Sequence, residues 1–238
     1  ETSNKHSLQN FFGENLYHCA TSDKSGKVLD FLVSKSFVGI GKLSYNDRIP
    51  LIEAMKRNNL TVLKKLVANP TVDINCHNYI PEKTPILAAM SFTGRCDYIN
   101  TLLDSPRLNL ELKLYCSNFN ILTYALNTRV KECIVTVMQH SRIRPLIAKF
   151  DPLSFLNTTR NYFFIETVLE QDESLQDWFT KENTTSILSG MLHLPNMIKI
   201  AHYVCKISGF SPREVMDSSK EEFIISIEEY EKQMKQKS

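Results

Sequence analysis

Thr84-Pro-Ile-Leu-Ala-Ala89 is the stretch that decides the reading of this chain, because its pattern recurs. Asn15-Leu-Tyr-His-Cys-Ala20, Ile49-Pro-Leu-Ile-Glu-Ala54 and Asn120-Ile-Leu-Thr-Tyr-Ala125 repeat it. The closing alanines Ala20, Ala54, Ala89 and Ala125 are spaced 34, 35 and 36. A second anchor keeps the same period independently. Leu32-Val33, Leu66-Val67, Leu102-Leu103 and Val137-Met138 are spaced 34, 36 and 35. Such self-similarity marks a supersecondary unit that buries its apolar face against copies of itself.

Each unit predicts two short helices. Pro50 and Pro85 stand at the first position of their helices, where the missing N–H would be unpaired in any case. The small Ala lets the two helices of a pair approach closely. A loop and a second helix follow, ending in the paired apolar residues. Asn69-Pro-Thr-Val-Asp-Ile-Asn75 and Asp104-Ser-Pro-Arg-Leu-Asn-Leu110 then turn the chain into the next unit.

On these residues the chain resembles ankyrin-repeat proteins, whose signature is T-P-L-H-x-A at a similar period. Thr84–Ala89 is the best match, Leu16-Tyr17-His18-Cys19-Ala20 keeps the His, and Val72-Asp73-Ile74-Asn75 matches the V-D-V-N-type ending. The resemblance covers about residues 14–143. It departs where Ile52, Leu87 and Thr123 replace the His, and where the Gly between helices is missing from most units, with Gly94 in a slightly longer loop. These are degenerate repeats. The resemblance implies an all-α solenoid of stacked helical hairpins. Residues 1–13 are expected to be a linker or cap, 14–145 about four repeats, and 146–210 degenerate helical pairs. Asp151–Leu156 with Ile165–Leu169, and Thr185–Met191 with Ile198–Val204, are the candidate pairs. Residues 211–238 form a terminal helix. It is opened by the capping box Ser211-Pro-Arg-Glu214, with Ser219-Lys-Glu-Glu222 as a second start. Phe223, Ile227, Tyr230 and Met234 would share one face of it. It either closes the stack or stands out as a partner helix.

The remaining chemistry narrows the function class. The chain has 238 residues, 42% hydrophobic and 23% charged, which fits a folded domain and excludes bulk disorder. With 28 basic and 26 acidic residues the net charge is +2, too balanced to indicate nucleic acid or an anionic membrane. The short basic pairs Lys56-Arg57, Lys64-Lys65 and Arg142/Arg144 read as solvated helix faces. No signal peptide or membrane-spanning run is visible, so a soluble, cytoplasmic protein is expected. Opening on Glu1 rather than Met suggests a processed form or a piece of something longer.

The cysteines Cys19, Cys76, Cys96, Cys116, Cys133 and Cys205 form no C-x-x-C pair and read as reduced, mostly buried thiols. No phosphate loop, G-x-S-x-G or H-E-x-x-H is present. His18 occupies a position that is structural in the resembled family, and His202 falls on an apolar helix. No metal, cofactor or catalytic residue is expected.

The expectation is therefore protein–protein recognition without catalysis, by a monomer whose concave face is preordered. By position, Arg48, Lys56, Arg57 and Lys83 would form a basic patch. Tyr79, Phe92, Tyr115 and Phe119 would supply aromatic anchors, suiting an acidic partner segment with one or two apolar anchors. Ordinary solvated fingers and partly buried aromatics are the competing explanation for the same residues. Tyr45 and Asn46 are further finger candidates. The degenerate repeats also resemble, in style, ankyrin-repeat effectors of intracellular bacterial pathogens, which implies a host protein as partner and the host cytosol as location. A substrate-recruiting domain of a larger enzyme is the second reading. A Cys/His hydrolase in the 145–210 region is the third.

Overall fold

A computed structural model of the chain describes residues 8–37, 39–46, 48–76, 84–91, 95–111, 120–159, 161–162, 164–171, 179–192, 194 and 197–237. Among these residues all regular structure is helical, as expected, apart from an isolated bridge between Gln9 and Asn15. The chain divides into two compact units, Glu1–Ile143 and Arg144–Ser238.

Among the described residues the first unit holds four helical hairpins. They are α1 (Leu16–Ala20) with α2 (Lys27–Ser34), and α3 (Pro50–Lys56) with α4 (Leu60–Ala68). The others are α5 (Pro85–Ser91) with α6 (Cys96–Leu103), and α7 (Ile121–Asn127) with α8 (Lys131–Gln139). First helices pack on first helices, α1 on α3, α3 on α5 and α5 on α7; α4 packs on α6 and α6 on α8. The four anchor alanines are each no more than 2% exposed, which gives physical content to their recurrence. Leu66, Leu102 and Val137 from the second anchor are fully buried. Each such side chain contributes about 1.5–3 kcal/mol by leaving water.

Local chemistry explains why these helices start where they do. Asn15 is extended and its side chain accepts the N–H groups of Tyr17 and His18, while its own N–H donates to His18 Nδ1. Asn120 and Thr123 form the same reciprocal cap at the same repeat position. In α3 and α5 a proline opens the helix instead. Between first and second helices, Asn58 (φ 53°) and Arg129 (φ 59°) take the left-handed conformation. They do so without glycine, at a cost for Arg129 of about 1–2 kcal/mol.

Polar joints tie each hairpin to the next, and their partners are mostly main-chain carbonyls. Arg107 donates to the carbonyls of Val72 at 2.9 Å and Asn69 at 3.0 Å, and to those of Val67 and Pro70. Arg142 does the same one period later, donating to Leu103 at 2.6 Å, Leu108 at 2.9 Å and Ser105. Buried Asn59 caps α4 and sends its amide back to the Thr21 and Asp23 carbonyls, both at 2.8 Å. Lys65 reaches back to the Gly26 carbonyl and pairs with Asp30. Arg142 and Lys65, read from sequence as members of solvated basic pairs, are thus corrected to inter-hairpin links.

The second unit contains α9 (Arg144–Ile147), α10 (Pro152–Thr159), α11 (Phe164–Gln171), α12 (Lys181–Met191), α13 (Ile198–Ser208), α14 (Pro212–Val215) and α15 (Glu221–Lys237). Here α10 packs on α12, α11 on α13, and α12 on α13. Phe150, Phe155 and Phe164 meet edge to face, with centroids 5.1–6.3 Å apart. Ser211 and Glu214 form the expected capping box, with Pro212 at the first position. The long terminal helix packs along α13 and α14. It begins at Glu221, directly after a 3-10 turn over Ser218–Lys220 that Asp217 caps by accepting the Ser219 N–H at 2.8 Å. Of the expected stripe, Ile227 is buried, Phe223 and Tyr230 are half-buried and Met234 is 45% exposed, and Ile224 is buried beside them. Arg213 ties α14 to α15 through Glu228 at 2.7 Å and Glu221 at 3.0 Å.

Candidate interaction surface

Of the residues singled out from sequence, Arg48, Lys56 and Arg57 fall among the described residues. Tyr79, Lys83, Phe92, Tyr115 and Phe119 lie outside them. Arg48 precedes α3, Lys56 ends it, and Arg57 is its C-cap. The structure brings Arg48 and Arg57 together on Glu53, a carboxylate only 7% exposed on α3. Arg57 Nε donates to Glu53 Oε1 at 2.7 Å, and Arg48 Nη1 stands 3.8 Å from Oε2. Arg57 also donates to the Ser22 hydroxyl of the preceding hairpin. Lys56 is exposed. The expected basic patch is therefore built around a carboxylate, which offsets part of its charge. Glu53 was absent from the sequence-derived site, although its place one residue before Ala54 puts it on the same short helix.

The backbone at Arg48 is also engaged. His18 Nε2 lies 2.8 Å from the Arg48 carbonyl oxygen, which can only accept, so Nε2 carries the proton. The structural role expected of His18 is what this geometry provides. Ser44 accepts the Arg48 N–H through its hydroxyl at 3.3 Å and donates its own N–H to the Arg48 carbonyl at 2.8 Å.

Next to this cluster two loops run together. Tyr45 N–H donates to the Phe12 carbonyl at 3.0 Å. Gly13, with φ +71°, lies so close under Tyr45 that no side chain fits there. The loops hold large apolar side chains in water: Phe11 is 90% exposed and Tyr45 73%, with Leu8, Phe12 and Leu43 beside them in sequence. Phe11 and Phe12 meet edge to face at 5.7 Å. Sequence pointed to Tyr45 as a finger residue; Phe11 and Phe12 had been read only as part of a linker or cap.

In the second unit a trough of about 610 Å³ lies between α13 and α15, lined by His202, Cys205, Phe210, Ile227, Glu231 and Met234 among others. His202 and Cys205 thus share one cavity, as a Cys/His hydrolase would require. Burial, helped by the Glu231 charge, pushes the Cys205 thiol up to about 11. His202 instead packs against Tyr230, with ring centroids 5.5 Å apart. Burial likewise raises Cys76 to about 12 and Cys133 to about 11. Among the described residues no group of three His, Cys, Asp or Glu could hold a metal ion. Among the same residues no helix is long and apolar enough to cross a membrane.

No protein-family model, curated protein or solved structure matches this chain.

Proposed function

We propose that the chain is an ankyrin-like, non-catalytic protein-recognition module. It binds an acidic, partly apolar segment of a partner protein along the loops and first helices of its leading hairpins. The observation that carries this reading is the exposure of Phe11, Phe12 and Tyr45 on two loops fastened to each other beside Arg48, with exposed Lys56 at the far end of α3. Exposed aromatics on a rigid frame bind with little ordering cost, and a basic rim selects the sign of the partner. The joints through His18, Asn59, Arg107 and Arg142 supply the frame.

The test compares affinity capture by the parent chain with capture by a Phe11→Ala/Tyr45→Ala/Lys56→Glu variant. All three residues are exposed, so circular dichroism should be the same for both chains. Loss of a captured protein in the variant supports the surface. Equal capture by both overturns it. Charge reversal at Arg48 or Arg57 is a poor choice, because either change sets a new carboxylate against Glu53.

A further inference from the structure

Val28 and Val33 stand at positions that the repeat keeps apolar in every hairpin of the first unit. The counterparts of Val28 are Val62, Tyr98 and Cys133; those of Val33 are Val67, Leu103 and Met138. All six counterparts are buried, at 0–7% exposed, while Val28 is 47% and Val33 41% exposed. The side chains are alike, so the difference lies in what covers them. Tyr98 sends its hydroxyl to Asn58 of the preceding hairpin at 2.8 Å. Cys96 reaches forward to the Glu132 carbonyl, beside Cys133, at 3.8 Å. Lys65 reaches back to Gly26 and Asp30. This side of each second helix therefore receives the hairpin before it.

On α2 the same side is more apolar than on its successors. Phe31, 56% exposed, stands where Lys65, Thr101 and Thr136 stand in the later hairpins. A hairpin that ends a stack carries a polar outer face, and α2 carries the opposite. The loop before α1 keeps the repeat register too. It runs beside the loop that leads from α2 into α3, joined by the bond from Tyr45 N–H to the Phe12 carbonyl.

We infer that the outer face of α2 is a stacking surface whose occupant is one further helical hairpin of the same repeat, joined in cis through the 8–14 loop. The inference rests on the repeat reading and is independent of partner binding. It is tested with a fused chain that carries residues 49–76 in place of residues 1–7, which places one more hairpin at a period of 35 before Asn15. Amide exchange in α2 should slow by about tenfold or more, and the thermal midpoint should rise. Val28→Glu/Val33→Glu should remove both gains from the fused chain while leaving the melting of the parent chain unchanged. Equal α2 exchange in the fused chain, the fused glutamate variant and the parent overturns the inference. So does sedimentation showing that the parent self-associates through Val28 and Val33, since a second copy would then be the occupant.

Discussion

His18 Nε2 lies 2.8 Å from the main-chain carbonyl oxygen of Arg48, thirty residues further on, and so ties the start of the first hairpin to the start of the second. The other ring nitrogen accepts the Asn15 N–H, so a single imidazole closes the cap of α1 and makes the joint. His18→Ala should cost about 1–2 kcal/mol, through a lost cap and a lost hydrogen bond to the Arg48 carbonyl, which keeps only the Ser44 N–H. Urea unfolding followed by circular dichroism measures it. A change below about 0.3 kcal/mol would place the joint elsewhere.

Arg142 ends three main-chain carbonyls, at Leu103, Ser105 and Leu108. Arg142→Ala should destabilise the first unit by about 2–3 kcal/mol, because the carbonyls lose a charged donor. Arg142→Lys should recover little, since one ammonium cannot reproduce a planar fork. The midpoints of equilibrium unfolding for the two variants decide this.

These arginines also show why part of the fold was not legible in the sequence. The anchor alanines and paired apolar residues repeat by residue type, and burial follows type closely enough to be read. Arg107 and Arg142 also repeat, 35 apart, yet arginine is ordinarily a surface residue and the carbonyls it seeks carry no letter. Glu53 was missed for a related reason, since a lone acid on a short helix gives no sign that two arginines converge on it. In α15 the apolar residues Phe223, Ile224, Ile225 and Ile227 allow two adjacent stripes that share Ile227, and packing on α13 buries Ile224 with it while Phe223 and Tyr230 stay half-buried. The exposed loop aromatics were half legible: Tyr45 was singled out, whereas Phe11 and Phe12 needed the bond between the two loops to be seen.

Gly190 in α12 faces the hydroxyl of Tyr162, and a Cβ there would fall inside contact distance. Tyr162 is only 4% exposed and has little room to retreat. Gly190→Ala should destabilise the second unit by about 1–3 kcal/mol despite the higher helix propensity of alanine. Adding Tyr162→Phe should return part of that loss. The double-mutant cycle, read by thermal unfolding, isolates the clash.

Alkaline pH should weaken the fold through its buried thiols. Cys76, Cys133 and Cys205 lie at about 12, 11 and 11, above their ordinary value of 9.0, because burial disfavours the thiolate. The unfolded chain therefore releases these protons first. Their stabilising contribution is whole below about pH 9 and is lost as pH rises toward 11–12. Replacing the three with alanine should flatten the fall in stability above pH 9 relative to the parent. A matching prediction is that exposed Cys19 reacts with a thiol probe at neutral pH well before Cys133 and Cys205.

The guanidinium of Arg107 rests on the oxygens of Val67, Asn69, Pro70 and Val72, and that of Arg142 on those of Leu103, Ser105 and Leu108. Every one of those acceptors belongs to the main chain, which no substitution other than a change of backbone path can remove. The side chains at the receiving positions are thereby released from matching their clamp, and only the arginine itself is held to one identity. Repeats so clamped can drift at most letters and still be fastened, as the second, third and fourth units are, although their fourth positions read Ile52, Leu87 and Thr123.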